Sequence, residues 1–141
     1  MARHIYYCPM RWADLDLFGH VNNVTYVDYM QEARVDMFRA HGPEDGDRLA
    51  DGVVVVRNEV EFKKPIRFRS APLRIEVWVT EVRAATFTLD YEMVDVRGED
   101  RTVYATARSV LVPYVFEREA PRRLTPDERF ALEGLRDEGA A

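Results

Sequence analysis

Between Asp14 and Tyr29 the chain reads DLDLFGHVNNVTYVDY. Two carboxylates, a glycine, a histidine and two adjacent asparagines stand directly ahead of an apolar run. Acyl-transfer chemistry asks for such groups: a carboxylate that attacks or accepts a proton, and donors aimed at an oxygen that becomes negative. A helix starting near Asn22 and Asn23 supplies the donors, because its first N–H groups have no intrahelical partner and its dipole favours negative charge. Asp16 is close enough in sequence for a loop to fold it back over that helix start. Gly19 lets the loop turn tightly and lets a substrate approach the backbone. A plainer role is also open to Asp16, as a helix cap or a turn-forming side chain. Asp14 suits bonding to the loop backbone. His20 either orients Asp16 or a water, as a histidine titrating near neutrality can, or serves as an ordinary structural donor.

The elements that must hold these groups follow from periodicity. Asn22 to His41 reads as one helix, with Val24, Val27, Met30, Ala33, Met37 and Ala40 at spacings of three and four. Tyr26, Tyr29 and Phe38 widen that stripe, and Tyr26 serves either the core or a pocket wall. Asn22 caps the start. Gly42-Pro43 stops the helix, with the glycine in the left-handed cap. From Gly52 the period changes to two. Val56, Asn58, Val60 and Phe62 share one face, and the runs Leu73–Val79 and Phe87–Met93 alternate likewise, as does Val103–Leu111. Such alternation marks antiparallel sheet with one apolar face. Asn58 on that face is a core amide with satisfied bonds, or reaches the active-site loop within or across a subunit boundary. Ile5 to Trp12 reads as a first strand, which Pro9 places at an edge or a bulge. Thr125-Pro126-Asp127-Glu128 opens a short helix in the tail. The expectation is an α+β domain: a long helix, near ~30 Å, wrapped by a curled antiparallel sheet of about five strands of similar length.

The totals narrow the classes. A chain of 141 residues with one cysteine and a net charge of -5 suits a single domain over residues 1–141, with its core over about 5–116 and a helical tail over about 125–137. The negative balance gives no general attraction to nucleic acid or to an anionic membrane. The lone Cys8 fits a reducing compartment, and no signal-peptide pattern or spanning run is visible, so a cytoplasmic location is expected.

The segment RWADLDLFGHVNNVTYVDYMQEARVDMF, together with the element order, resembles hotdog-fold acyl-CoA thioesterases of the 4-hydroxybenzoyl-CoA thioesterase-like superfamily. DLDLFGHVNNVTY is also similar to a stretch of plant acyl-acyl-carrier-protein thioesterases, and VEFKKPIRF resembles the family's second strand and turn. The family often follows that turn with Gly-Asp, where this chain has Arg69-Ser70-Ala71-Pro72. The resemblance implies that Asp16 is the nucleophile or general base and that the backbone N–H of Asn23 polarises the thioester carbonyl. It further implies a homodimer, or a dimer of dimers, with the pocket between subunits, and no cofactor or metal, coenzyme A being part of the substrate. An ordinary aspartate, titrating near ~3.9, is a weak base at neutral pH; nucleophilic attack and burial-assisted base catalysis both stay open. Lys63, Lys64 and Arg67, with Arg69 and Arg108 beside them in the reckoning, are cations for the coenzyme A phosphates or simply solvated faces.

Other readings fit less well. DLDLFG faintly resembles the DxD motif of haloacid-dehalogenase-type phosphatases, but that motif ends a buried parallel strand. Asp14, Asp16 and His20 form a thin metal set. Cys8 precedes the motif and suits a strand rather than a nucleophile. A hotdog dehydratase carries its acid inside the helix, and Asp28 and Glu32 do not make that pattern. The open rivals to hydrolysis of acyl-CoA are a hotdog domain that binds acyl-CoA or acyl carrier protein without turnover, and a thioesterase acting on the carrier-bound acyl group.

Overall fold

The computed structural model describes residues 3–42 and 52–137. The strands are β1 (His4–Cys8), β2 (Val53–Phe62), β3 (Leu73–Val82), β4 (Phe87–Arg97), β5 (Asp100–Val115) and β6 (Ala120–Pro121). The helices are α1 (Asn23–His41) and α2 (Pro126–Glu133), and Trp12–Asp14 forms a single 3-10 turn. The sheet runs β1-β3-β4-β5-β2, every pairing antiparallel, with the short β6 beside β5. It thus has six strands where about five are expected. β1 and β2 are its edges.

One face of the sheet is apolar, as the alternation predicts. Leu73, Ile75, Val77, Val79, Phe87, Leu89, Ala105 and Leu111 are completely buried, and they form one core with Tyr26, Tyr29, Met30, Ala33, Met37 and Phe38 of α1. Small Ala105 and Ala107 stand on that face. Asn22 caps α1 by accepting from Val24 N at 3.1 Å. Thr125 and Glu128 exchange hydrogen bonds as a capping box at the start of α2, whose Leu132 joins the core.

Several local expectations change. The first strand ends at Cys8, because Pro9 has no N–H to continue the ladder. The buried face of α1 is rotated from the predicted stripe: Val24, Val27 and Ala40 are exposed, while Thr25 and Arg34 are buried. Tyr26 and Tyr29 are buried on the packed face beside the predicted Met30, Ala33 and Met37. Gly42 adopts an extended conformation, φ -83°, instead of the left-handed cap. It is needed for space, since a Cβ there would lie 2.6 Å from the carbonyl oxygen of Phe38; Pro43 lies outside the described residues. In β2 a bulge between Val55 and Arg57 interrupts the alternation, leaving Val56 and Asn58 exposed. Trp78 and Glu76, on the wetter face of β3, are buried nonetheless. Arg3 covers the Trp78 ring at 3.8 Å and donates to Glu76 at 2.9 Å, while Arg74 and Arg101 complete the cage around the carboxylate.

Candidate active site

The loop ahead of α1 closes on itself. Leu15 pairs with Val21, Asp16 N donates to His20 O at 2.8 Å, and Gly19 N donates back to Asp16 O at 3.2 Å. Gly19 has φ +76°, the left-handed region, with open space where a Cβ would go, so conformation rather than crowding requires glycine here. Val21 N donates to Ile66 O and His20 pairs with Arg67, which fixes the loop to the segment after β2. Asn22 N donates to Asp14 O at 2.8 Å, tying the helix start to the loop's base.

Asp14 is the anchor. Its carboxylate, 1% exposed, accepts from the Tyr29 hydroxyl at 2.5 Å and from the backbone and guanidinium of Arg11. Burial alone would push this carboxyl up; the bonds from Tyr29 and Arg11 outweigh it and hold it below the usual carboxylate range. The predicted tie from Asp14 to the loop backbone is present, and Tyr29 is the partner that sequence reasoning missed. A tyrosine on the inner face of a helix needs an acceptor for its hydroxyl, which was the available signal.

Asp16, His20 and Asn23 border one cleft of about 240 Å³, together with Val21, Tyr26, Phe62, Lys63, Lys64 and Pro65. Asp16 is exposed there. Its Oδ1 accepts from Phe18 N at 2.8 Å and His20 N at 3.3 Å, so the turn-forming role and a place in the cleft coexist. Oδ2 has no hydrogen-bond partner among the described residues and can meet a substrate. Asn22 spends its side-chain oxygen on the cap, and Thr25 N turns to Asn22 O at 2.9 Å. The N–H of Asn23, first in the helix, has no partner among the described residues. Burial pushes the Tyr26 phenol up, and the charge of Asp16 adds to that effect. The Tyr26 ring meets Phe62 edge-on at 4.8 Å, an apolar wall of which the sequence reading had offered Tyr26 but not Phe62.

The other candidates divide. Lys63 and Lys64 line the cleft, and Arg67 is exposed beside His20. Arg69 instead grips Asp95 through two bonds of 2.5 and 2.6 Å, which pins the unusual Arg69–Pro72 turn onto β4. Arg108 pairs with Asp90 at 2.7 and 3.0 Å, outside this cleft. Asn58 does not border the cleft; it lies further back on β2, where its Oδ1 accepts from Ser109 at 2.6 Å. Asp14 is committed to Tyr29 and Arg11, and among the described residues no three His, Cys, Asp or Glu side chains are placed to hold a metal. Burial pushes the Cys8 thiol up to about 12, so it is no thiolate at neutral pH. No described helix is long and apolar enough to cross a membrane.

A model of the thioesterase-like superfamily matches residues 10–131. The uncharacterized protein YsmA of Bacillus subtilis is 28% identical over 90 residues, 64% of this chain and 60% of that protein, so the match spans less than two thirds of that relative. A thioesterase from Thermus thermophilus, solved in complex with coenzyme A and Zn, is 25% identical with a TM-score of 0.75, over 93% of this chain and 92% of that one. A variant of 4-hydroxybenzoyl CoA thioesterase, solved with 4-hydroxybenzoyl CoA, superposes with a TM-score of 0.78 at 17% identity, over 94% of this chain and 99% of that one. The last likeness is one of fold, the hotdog arrangement of helix and antiparallel sheet.

Proposed function

The chain belongs to the thioesterase-like superfamily, and from that premise we propose that it hydrolyses acyl-CoA thioesters to the free acid and coenzyme A. The observation that carries this reading is the cleft that Asp16 and Asn23, the first residue of α1, border together. The thioester carbonyl oxygen sits at the Asn23 N–H, whose hydrogen bond and helix dipole stabilise the negative charge of the tetrahedral state. One such donor lowers a barrier by about 3–4 kcal/mol. Asp16 either attacks the carbonyl carbon through Oδ2 or takes a proton from water as the water oxygen bonds to that carbon. Collapse then breaks the carbon–sulfur bond and expels the thiolate, which takes up a proton; on the nucleophilic route this leaves a mixed anhydride on Asp16, which water hydrolyses to the free acid and the regenerated carboxylate. His20 borders the same cleft and orients the carboxylate or the water.

Lys63, Lys64 and Arg67 surround the mouth with positive charge and suit the phosphates of coenzyme A. Tyr26 and Phe62 offer an apolar wall to the acyl group. Gly19 and Asn22 act through shape, one by turning the loop and the other by capping the helix beneath the carbonyl. We further propose a homodimer, alone or as a dimer of dimers. β2 is an edge strand with Val56 and Phe62 exposed at 59% and 49%, and a soluble protein must manage such an edge.

The test is thiol release measured across acyl-CoA and acyl-carrier-protein thioesters of graded length. Turnover of CoA thioesters supports the proposal. Release only from carrier-bound acyl groups moves the substrate class, and tight binding without release overturns the enzymatic reading in favour of a binding domain.

A further inference from the structure

A chain of hydrogen bonds crosses the inner face of the sheet beyond the cleft. Arg34 of α1 donates from Nη1 to the Tyr91 hydroxyl at 3.2 Å, Tyr91 donates to Ser109 Oγ at 3.0 Å, and Ser109 donates to Asn58 Oδ1 at 2.6 Å. Arg34, Tyr91 and Ser109 are buried; Asn58, on the edge strand, is exposed. A guanidinium only donates, so the Tyr91 oxygen accepts from Arg34, and the Tyr91 hydroxyl directs its own proton to Ser109. Ser109 must then send its proton to Asn58. A separation of 2.6 Å is an O–H···O length, shorter than N–H···O bonds prefer. The Asn58 amide is therefore held with its oxygen inward and both N–H donors outward. Burying a cation and two further polar groups is expensive where apolar packing would serve, which points to a use for the group at the relay's end.

That end is aligned with the cleft. Asn58, Val60 and Phe62 share a face of β2, opposite Ser109, Ala107 and Ala105 of β5. Phe62 borders the cleft, and Val60 packs against the core between Phe62 and Asn58. Four residues of strand place Asn58 about 13 Å from Phe62. Along α1, the eleven residues from Asn23 to Arg34 cover roughly 16 Å. Helix and strand thus lead from the carbonyl site to the relay over similar distances. We propose, resting on the thioesterase reading, that Asn58 is a specificity-determining residue whose outward N–H groups bind an oxygen carried far along the acyl chain. The favoured substrate is a medium-length acyl thioester bearing a hydroxyl, keto or similar acceptor near its distal end. An extended chain covers roughly 1.2 Å per bond, so the acceptor lies about ten bonds from the carbonyl. Arg34, Tyr91 and Ser109 are positioning residues that act through Asn58.

The experiment compares decanoyl-CoA with its terminally hydroxylated counterpart. Binding is measured by calorimetry in Asp16→Asn protein, where nothing should be consumed, and thiol release in the otherwise natural chain. The hydroxylated ligand should bind about tenfold tighter or better. That ratio should fall to about one when Asn58→Leu is added, and fall substantially with Tyr91→Phe, which removes only the oxygen that directs the relay. A merely structural role would weaken both ligands alike and leave the ratio standing. Equal binding of the two ligands, or a ratio that survives Asn58→Leu, overturns the inference. So does an Asn58→Leu protein that changes only its self-association, which would assign the amide to a second copy of the chain. The two readings fail separately: equal thiol release from both thioesters keeps the hydrolase and removes the acyl-end site, whereas discrimination in binding without any release does the reverse.

Discussion

Removing the Tyr29 hydroxyl tests how the loop is held. In Tyr29→Phe the ring still fills its place in the core, but Asp14 loses its shortest hydrogen bond, 2.5 Å, at a site 1% exposed. A hydrogen bond to a charged group contributes about 1.5–3 kcal/mol, and the loss also leaves a buried carboxylate less satisfied. Arg11 still donates to Asp14, but its side chain is 72% exposed, so solvent screens its share. A loss of about 2 kcal/mol follows, which lowers Tm by roughly 5–10 °C in a domain of this size. The pH dependence carries the signature. The folded-state pKa of Asp14 lies below its unfolded value, so its contribution is present above the unfolded pKa and disappears as pH falls through the lowered folded one. Thermal melts followed by circular dichroism should show the widest gap between natural and variant protein near pH 7, narrowing as pH falls below about 4 toward the lowered folded-state value, where the natural protein takes up the proton last. Because Asp14 O also accepts from Asn22 N, the loosened anchor should slow thioester turnover several-fold. A gap under about 0.5 kcal/mol at pH 7, or one that does not narrow as pH is taken below about 3, would refute the assignment of Asp14 as the buried anchor.

The remaining predictions concern the loop and its mouth. Gly19→Ala forces a side chain into the left-handed region without a clash, so it should cost about 1–2 kcal/mol by denaturant melts; an unchanged midpoint would mean that the loop relaxes freely. Replacing Lys63 and Lys64 together by alanine should raise KM for acyl-CoA about tenfold, move kcat little, and flatten the dependence of KM on salt. If KM responds to salt as before, the phosphates bind elsewhere.

Much of the architecture was legible because one signal dominated. The period-two runs over Leu73–Val79 and Phe87–Met93 place their apolar members in the core, since alternation leaves a strand only one face to bury. The start of α1 was readable from Asn22, whose oxygen does cap the helix. What failed to show depends on partners distant in sequence. Glu76 and Trp78 read as solvent-facing until Arg3 arrives from the chain's beginning to cover both. The face of α1 was misjudged because Val24 and Val27 fit the spacing, while the tyrosines, with an apolar body and a polar tip, find their hydrogen-bond acceptors only in the folded chain. Tyr29 finds Asp14 only once the loop closes. Arg34 falls outside the predicted apolar stripe, and the hydroxyl that it meets in the core belongs to Tyr91, on a strand far along the chain. In the site, residue types and spacing singled out Asp16 and Asn23, which border one cleft. The uses of Asn58, Arg69 and Arg108 were decided by neighbours: Ser109, Asp95 and Asp90.

The central claim rests on a single oxygen, Oδ2 of Asp16, facing a thioester held at the start of α1. Asp16→Asn keeps the size of the side chain and leaves Oδ1 to accept from Phe18 N and His20 N, so folding and acyl-CoA binding should persist. Thiol release under single-turnover conditions should drop about 10²–10⁴-fold. A folded Asp16→Asn protein that releases thiol at close to the natural rate would contradict the account.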